Sequence, residues 1–452
     1  MQSLTRANVN HGVFLVIALF TRLIFLDVSW FCYFALMISL YQFMLLFYSF
    51  GTVMPIRYLL GSFMCLQMLI GPTLAYNGLD AYQRGSLKMQ IPEDQYFLYV
   101  IPAVLLFIVG LHLRADYLKG EYINQEKMEE LVENHPNLPY MFVVIGFVAS
   151  FISPFFGSDL GFLFYLLAGF KFIGAFLLII GARQLKPITL ILVYGSVVVS
   201  SLGEAMFHDL LMWVLFLGAV FAIKYKPSNP VKLAFVFAFI SLAVFIQMIK
   251  GDYREATWTA GEEGSLETLQ KTVESKQEKE GGIFDLEKLA ANNVRINQGF
   301  IVTNIMKNVP DREPHAKGEQ LVQILEAAIL PRILAPNKLN AGDREFFMKW
   351  AGFRIARGTS MGLSSVGDGY VNFGAVGGAI FMLFYGLLFS EILNAIQYYS
   401  KYFPILILFT ALMFYYPIRP DCELQTILGH LFKSCFLITV VMQLWKYIFK
   451  QA

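Results

Sequence analysis

The sequence predicts an all-α, polytopic membrane protein of about twelve transmembrane helices, with one large loop between the ninth and tenth. Three observations predict this. Of 452 residues, 57% are hydrophobic and 15% are charged, whereas a soluble chain carries roughly 25% charged residues. Mean hydropathy is +0.56. The apolar residues also fall into runs of about 20, the length a helix needs to cross the hydrocarbon of a bilayer.

Twelve such runs lie near 12–28, 30–50, 54–76, 95–113, 139–156, 159–181, 187–203, 206–223, 232–249, 371–397, 403–418 and 429–448. The first, "GVFLVIALFTRLIFLDV", lacks a small-residue cleavage site and is followed at once by another run, so it reads as a retained anchor. No internal repeat is visible, which weighs against transporter folds built from repeats. With the N-terminus inside, the short inner segments hold twelve Lys and Arg and the short outer loops three. The positive-inside rule therefore predicts both termini cytoplasmic.

That orientation places the large polar insertion, 251–370, outside the cytoplasm, between membrane parts 1–250 and 371–452. Residues 251–290 are Glu-rich ("SLETLQKTVESKQEKEGG") and read as an exposed helix or a flexible arm. Residues 291–370 carry helix-like runs and should fold against the membrane part. Within "DREFFMKWAGFRIA", Asp343 is a candidate N-cap. Phe346, Phe347, Trp350 and Phe353 share one helical face. That face suits either the membrane interface or packing on other loop helices.

Candidate chemistry gathers in the same insertion. Between Arg332 and Arg357 lie six basic residues and two acidic ones. Arg354 and Arg357 would share a face if helical. Arginine forks and lysine ammonium groups bind phosphate oxygens, although a solvated or headgroup-facing basic surface has the same composition. "GDGYVNFGAVGG" has no phosphate-loop pattern. Its Gly374 and Gly378 instead read as a close-packing pair. Asp368 is either an acid that takes a proton or a cap on the following helix, and Tyr370 either a sugar platform or an interfacial anchor. Elsewhere, His208 with Glu204 and Asp209 forms an outer polar turn, and Arg22 and Lys171 sit within apolar runs. The four cysteines (Cys32, Cys65, Cys422, Cys435) lack metal-ligand spacing and read as inert. No cofactor, metal or nucleic-acid signature is present.

Four spaced stretches between about 291 and 425 carry a family resemblance: "NNVRINQGF", "AAILPRILAPNKLNAG", "GTSMGLSSVGDGYVNFGAVGG" and "YYPIRPDCELQ". In order and setting they resemble the O-antigen polymerases (Wzy type), within the wider group of lipid-linked oligosaccharide polymerases and ligases. The resemblance implies a GT-C-like, metal-independent glycosyltransferase in the bacterial inner membrane. Such an enzyme polymerises undecaprenyl-pyrophosphate-linked repeat units into O-antigen or a similar polysaccharide at the periplasmic face. Its partners would be lipid-linked donor and acceptor glycans, membrane lipid and a chain-length regulator protein. The implied pyrophosphate and glycan set is Arg295, Arg332, Lys338, Arg354, Arg357, Arg419, Tyr370 and Asn372, with Asp368 as the acid. That acid is often Glu in the family, and Asp is one methylene shorter. A ligase of the same group, or a flippase or exporter without covalent chemistry, are the competing readings. His315 stands alone in "REPHAKG", which departs from the ligase pattern, and a transporter's cations should lie in its spans.

Overall fold

A computed structural model describes residues 9–449, apart from 25, 80–84, 116–121, 157, 185–186, 281–295 and 333. Every regular element among the described residues is helical. In chain order these are α1 (His11–Ile24), α2 (Trp30–Ser49), α3 (Ile56–Tyr76), α4 (Glu93–Leu113), α5 (Gln125–Asn134), α6 (Leu138–Phe155), α7 (Gly161–Gly181), α8 (Pro187–Glu204), α9 (His208–Tyr225) and α10 (Asn229–Thr259). After α10 come α11 (Leu266–Glu280), α12 (Gly299–Asn308), α13 (Glu319–Ile329), α14 (Arg344–Ala351), α15 (Ser364–Tyr399), α16 (Pro404–Met413) and α17 (Leu424–Phe449).

Ten of these are long and apolar enough to cross a membrane, so the chain has the build of a multi-pass membrane protein. The other two expected spans are shorter. α1 has 14 residues, about 21 Å of helix against the ~30 Å hydrocarbon thickness. The run at 403–418 gives one 3₁₀ turn, Pro404–Ile407, and one α turn, Thr410–Met413. Residues 405–415 are all buried. Irregular backbone at membrane depth survives only inside protein, and here His430 of α17 bonds the Leu412 carbonyl at 2.7 Å.

α4 and α15 cross at the centre. A Cβ on Gly110 would lie 2.3 Å from Leu383 O, and one on Gly386 would lie 2.3 Å from Phe107 O. The two backbones therefore touch through facing glycines, which is how helices pack where lipid removes the hydrophobic drive. Phe107 then stacks on Tyr385, with ring centroids 5.6 Å apart. Near the far end of that pair, buried Arg57 of α3 donates to Leu111 O, Ser390 Oγ (2.8 Å) and Asn394 Oδ1 (2.7 Å), tying α3, α4 and α15 together.

Basic residues expected on the inner side meet at one end of the bundle. Lys224 pairs with Glu129 (2.7 Å), Arg183 with Glu133 (2.8 Å) and Arg114 with Glu391 (3.1 Å), while Lys127 donates to Lys401 O at 3.2 Å. The insertion covers the opposite end. α10 runs past 250 to Thr259, and the Glu-rich stretch is a helix, α11, docked back on it. Lys276 bonds Met248 O (2.8 Å) and pairs with Asp252, and Tyr253 OH donates to Ser265 O at 3.3 Å.

α14 begins as the sequence proposes, with Asp343 Oδ1 accepting from Phe346 N at 2.9 Å. Its aromatic face packs inward. Phe347 and Trp350 are buried with Phe300, Ile301 and Ile305 of α12, so of the two readings the loop-packing one is realised.

Candidate functional site

The apparent tenth span begins earlier than expected and is broken. Within α15, Gly374 has φ 67° and ψ −167°, a region essentially reserved for glycine. Residues 364–373 fold back there, and a Cβ on Gly378 would lie 2.8 Å from the Gly369 carbonyl carbon. In one continuous helix those two positions would be about 13.5 Å apart. The Gly374–Gly378 pair is thus corrected: Gly374 is the hinge, and Gly378 makes its close contact with Gly369.

A helix end inside the protein leaves orphan carbonyls. The segment before α13 supplies their donors. Ala316 N bonds Val371 O (2.9 Å), Lys317 N bonds Asn372 O (3.1 Å) and Gly318 N bonds Asn372 Oδ1 (3.1 Å). His315 Nδ1 lies 3.1 Å from Tyr370 O and 3.3 Å from Val371 O. Both neighbours are acceptors, so that nitrogen carries the proton.

Under this strap Asp368 and Asn372 are almost fully buried. Gln320 Nε2 donates to Asp368 Oδ1, and Gln320 Oε1 accepts from Asn372 Nδ2. Asn372 Nδ2 also bonds Asp368 O at 2.8 Å. One glutamine amide therefore orients both the acid and the asparagine. Asp368 is not the helix cap, because it lies inside the helical segment that begins at Ser364 and its carboxylate is taken by Gln320. Tyr370 has its ring edge-to-face with Tyr99 (5.1 Å) and His315 (5.6 Å), so protein aromatics already take two of its sides.

The loop 416–423, just ahead of α17, carries the second polar group. Arg419 Nη2 pairs with Asp421 Oδ2 at 3.3 Å, and Gln67 Nε2 donates to Asp421 Oδ1 at 3.3 Å. Arg419 Nε, Gln67 Oε1 and His208 Nε2 are buried with no hydrogen-bond partner among the described residues, and such atoms ask for water or a polar ligand. Burial alone would raise the Asp421 carboxyl, but Arg419, His208 and the Gln67 hydrogen bond together outweigh it and hold the group below the usual carboxylate range. Burial likewise opposes the charge on Arg419, and Asp421 together with Cys422 and Tyr415 more than restores it. Glu423 differs: burial pushes its carboxyl up, against hydrogen bonds from Thr426 Oγ1 and Gly342 N, both 2.7 Å.

Gln67 belongs to a π turn, Leu66–Ile70, inside α3. Such turns free a backbone carbonyl, and the Gln67 carbonyl accepts from Gln298 N at 3.1 Å.

Residues 78–450 match a family model described as a domain of unknown function, DUF8712. The chain belongs to the DUF8712 family. No curated protein and no solved structure matches it. The DUF8712 region takes in the hinge, the strap and the 416–423 loop, and leaves out Gln67, which bonds that loop.

The remaining expected residues of this DUF8712 chain are not drawn into one closed basic pocket. Arg332 is exposed and donates to Asn340 Oδ1. Lys338 is held on the C-terminal end of α13 through Ala327 O (3.0 Å) and Leu330 O, where a helix dipole favours a cation. Arg354 and Arg357 are exposed. They do not share a helix face, because Gly352 ends α14 in a left-handed cap, φ 72°, and the chain from there to 363 is not helical. Arg295 lies outside the described residues. Sequence reading missed Gln320, Gln67, Asp421 and Glu423. Only Asp421 had a visible signal, an acid two residues from Arg419; the others acquire roles through contacts made across long stretches of chain.

Proposed function

We propose that this chain is a glycosyltransferase of the lipid-linked oligosaccharide polymerase kind, working at the outer face of a bacterial inner membrane. One observation carries the reading: of the four stretches of the Wzy-type resemblance, the second and third touch the fourth at and just after the 416–423 loop, and the first is joined to it through Gln67. Gln298 bonds the carbonyl of Gln67, whose side chain bonds Asp421. Gly342 N donates to Glu423 Oε1 at 2.7 Å, and Gln425 Nε2 donates to Leu339 O at 3.1 Å. A Cβ on Gly362 would lie 2.7 Å from Glu423 N.

In the proposed reaction a hydroxyl of the acceptor's terminal sugar attacks the donor's anomeric carbon. The bond from that carbon to the diphosphate oxygen breaks, and the diphosphate keeps the electron pair. Arg419 stabilises the charge that develops there. Fixed guanidinium groups aimed at developing charge lower the barrier more than they tighten ground-state binding. The acceptor proton passes to Asp368, whose orientation Gln320 sets and which the strap must uncover.

Surface polysaccharide from a host carrying Arg419→Gln tests the proposal. The expected result is normal protein level with lipid core bearing single repeat units. A full ladder of chain lengths would remove the reading. Uncapped core with long lipid-linked chains would assign a ligase, and single units trapped on the cytoplasmic side an exporter.

A further inference from the structure

α13 has three sides where an ordinary surface helix has two. Gln320, Ile324, Ala327 and Ala328 are buried and lie within about 100° of one another around the axis. This side packs on the membrane part, Gln320 bonding Asp368 of α15 and Ala328 meeting Gly429 of α17. The next arc of about 100° holds Leu321, Val322, Leu325 and Ile329. The last three are 64%, 41% and 50% exposed. Glu319, Gln323 and Glu326, all exposed, fill the arc that remains. The exposed surface of α13 is thus itself sorted into an apolar half and a polar half. Water alone gives no reason for that sorting; two different media side by side do.

The neighbour of the apolar half says what the second medium is. A Cβ on Gly429 would lie 3.6 Å from Ala328 Cα. Phe432 and Phe436 follow Gly429 at i+3 and i+7, on the same face of α17, and are 41% and 73% exposed. α17 is long and apolar enough to cross a membrane, so bare aromatic surface along it faces lipid. α13 therefore rests on a lipid-facing flank of α17, not in a cleft between spans. Ala328 stands at the edge of the buried arc nearest Leu321 and Leu325, so the apolar half of α13 adjoins that flank. Lys433, on the same flank, holds its ammonium near Lys338 of the insertion, as a lysine does when its stem lies on apolar surface and its head stays in water.

We propose that α13 lies in the lipid–water interface, with Val322, Leu325 and Ile329 against bilayer hydrocarbon and Glu319, Gln323 and Glu326 in water. The partner is bulk lipid, engaged by apolar contact and without regard to headgroup. The inference does not rest on the polymerase reading, because the helix would seat in the bilayer whether or not the chain transfers sugar. Gln320 is on the same helix, so this seat also fixes where the partner of Asp368 stands.

The unmodified full-length protein in nanodiscs of neutral dioleoylphosphatidylcholine tests the proposal with two diazirine reagents, one apolar and partitioned into the bilayer, the other water-soluble. After photolysis, trypsin cuts following Lys317 and Arg332 release α13 in one peptide, 318–332, for mass spectrometry. The apolar carbene should modify Val322, Leu325 and Ile329 within about threefold of its yield at Phe436, and Glu326 about tenfold less. The water-soluble carbene should reverse the order. Labelling of the apolar residues by the water-soluble reagent at the level of Glu326 overturns the proposal. Protection of those residues from both reagents overturns it too, and would assign the surface to a second copy of the chain or to another protein.

Discussion

Replacing Gly374 with alanine isolates the cost of the hinge. Its φ of 67° and ψ of −167° lie where an L side chain costs about 1–3 kcal/mol. Steric crowding adds little, since the new Cβ would find its nearest neighbours, His315 Cε1 and Nε2, at 3.5 Å, ordinary contact distance. The chain cannot relieve the strain by straightening. A continuous helix would separate Gly369 from Gly378 and forfeit the bonds from Ala316, Lys317 and Gly318 to residues 371 and 372. The strain should therefore appear as easier opening of the strap. A cost of about 1–3 kcal/mol is a roughly 5- to 150-fold larger open population. Lys317 is exposed, and its backbone N–H is held by Asn372, so trypsin cleavage after Lys317 reports that population when opening is fast. Gly374→Ala in detergent should raise the initial rate of that one cut by a factor in this range, with distant sites unaffected. An unchanged or slower cut would refute the account of the hinge.

Two further outcomes follow from the polar contacts. Asn394→Ala removes an acceptor from the buried Arg57 guanidinium, 2.7 Å away, and should lower stability by about 1.5–3 kcal/mol; thermal unfolding that shifts by less than about 0.5 kcal/mol would show the clamp to be idle. Burial raises the Glu423 carboxyl above its ordinary 4.5, so the fold holds that proton more tightly than the unfolded chain. Its stabilising contribution is then fully present below pH 4.5 and is lost as pH rises through the folded value. Glu423→Gln keeps the oxygen that Gly342 and Thr426 bond, so it should match wild type near pH 4 and unfold at a higher temperature near pH 7. Identical curves at both pH values would refute the burial argument.

Sequence by itself determined the class of this protein and the positions of its long helices, because a bilayer demands runs of a set length and composition. Asp343 as a cap and the inward or interfacial face of α14 were readable for the same reason: they depend on residues within two turns of one another. Tertiary structure alone decided what the polar residues do. "GDGYVNFGAVGG" looks like the smooth start of a span, and nothing local says that Gly374 reverses the chain. The reversal depends on donors at 315–318, about 55 residues earlier. The arginines that composition grouped at 332–357 are dispersed over the surface, because Gly352 stops the helix that would have aligned Arg354 and Arg357. Gln320, Gln67 and Glu423 are ordinary in sequence and become informative only where packing has removed water, since a buried polar group must find a partner wherever the fold can bring one.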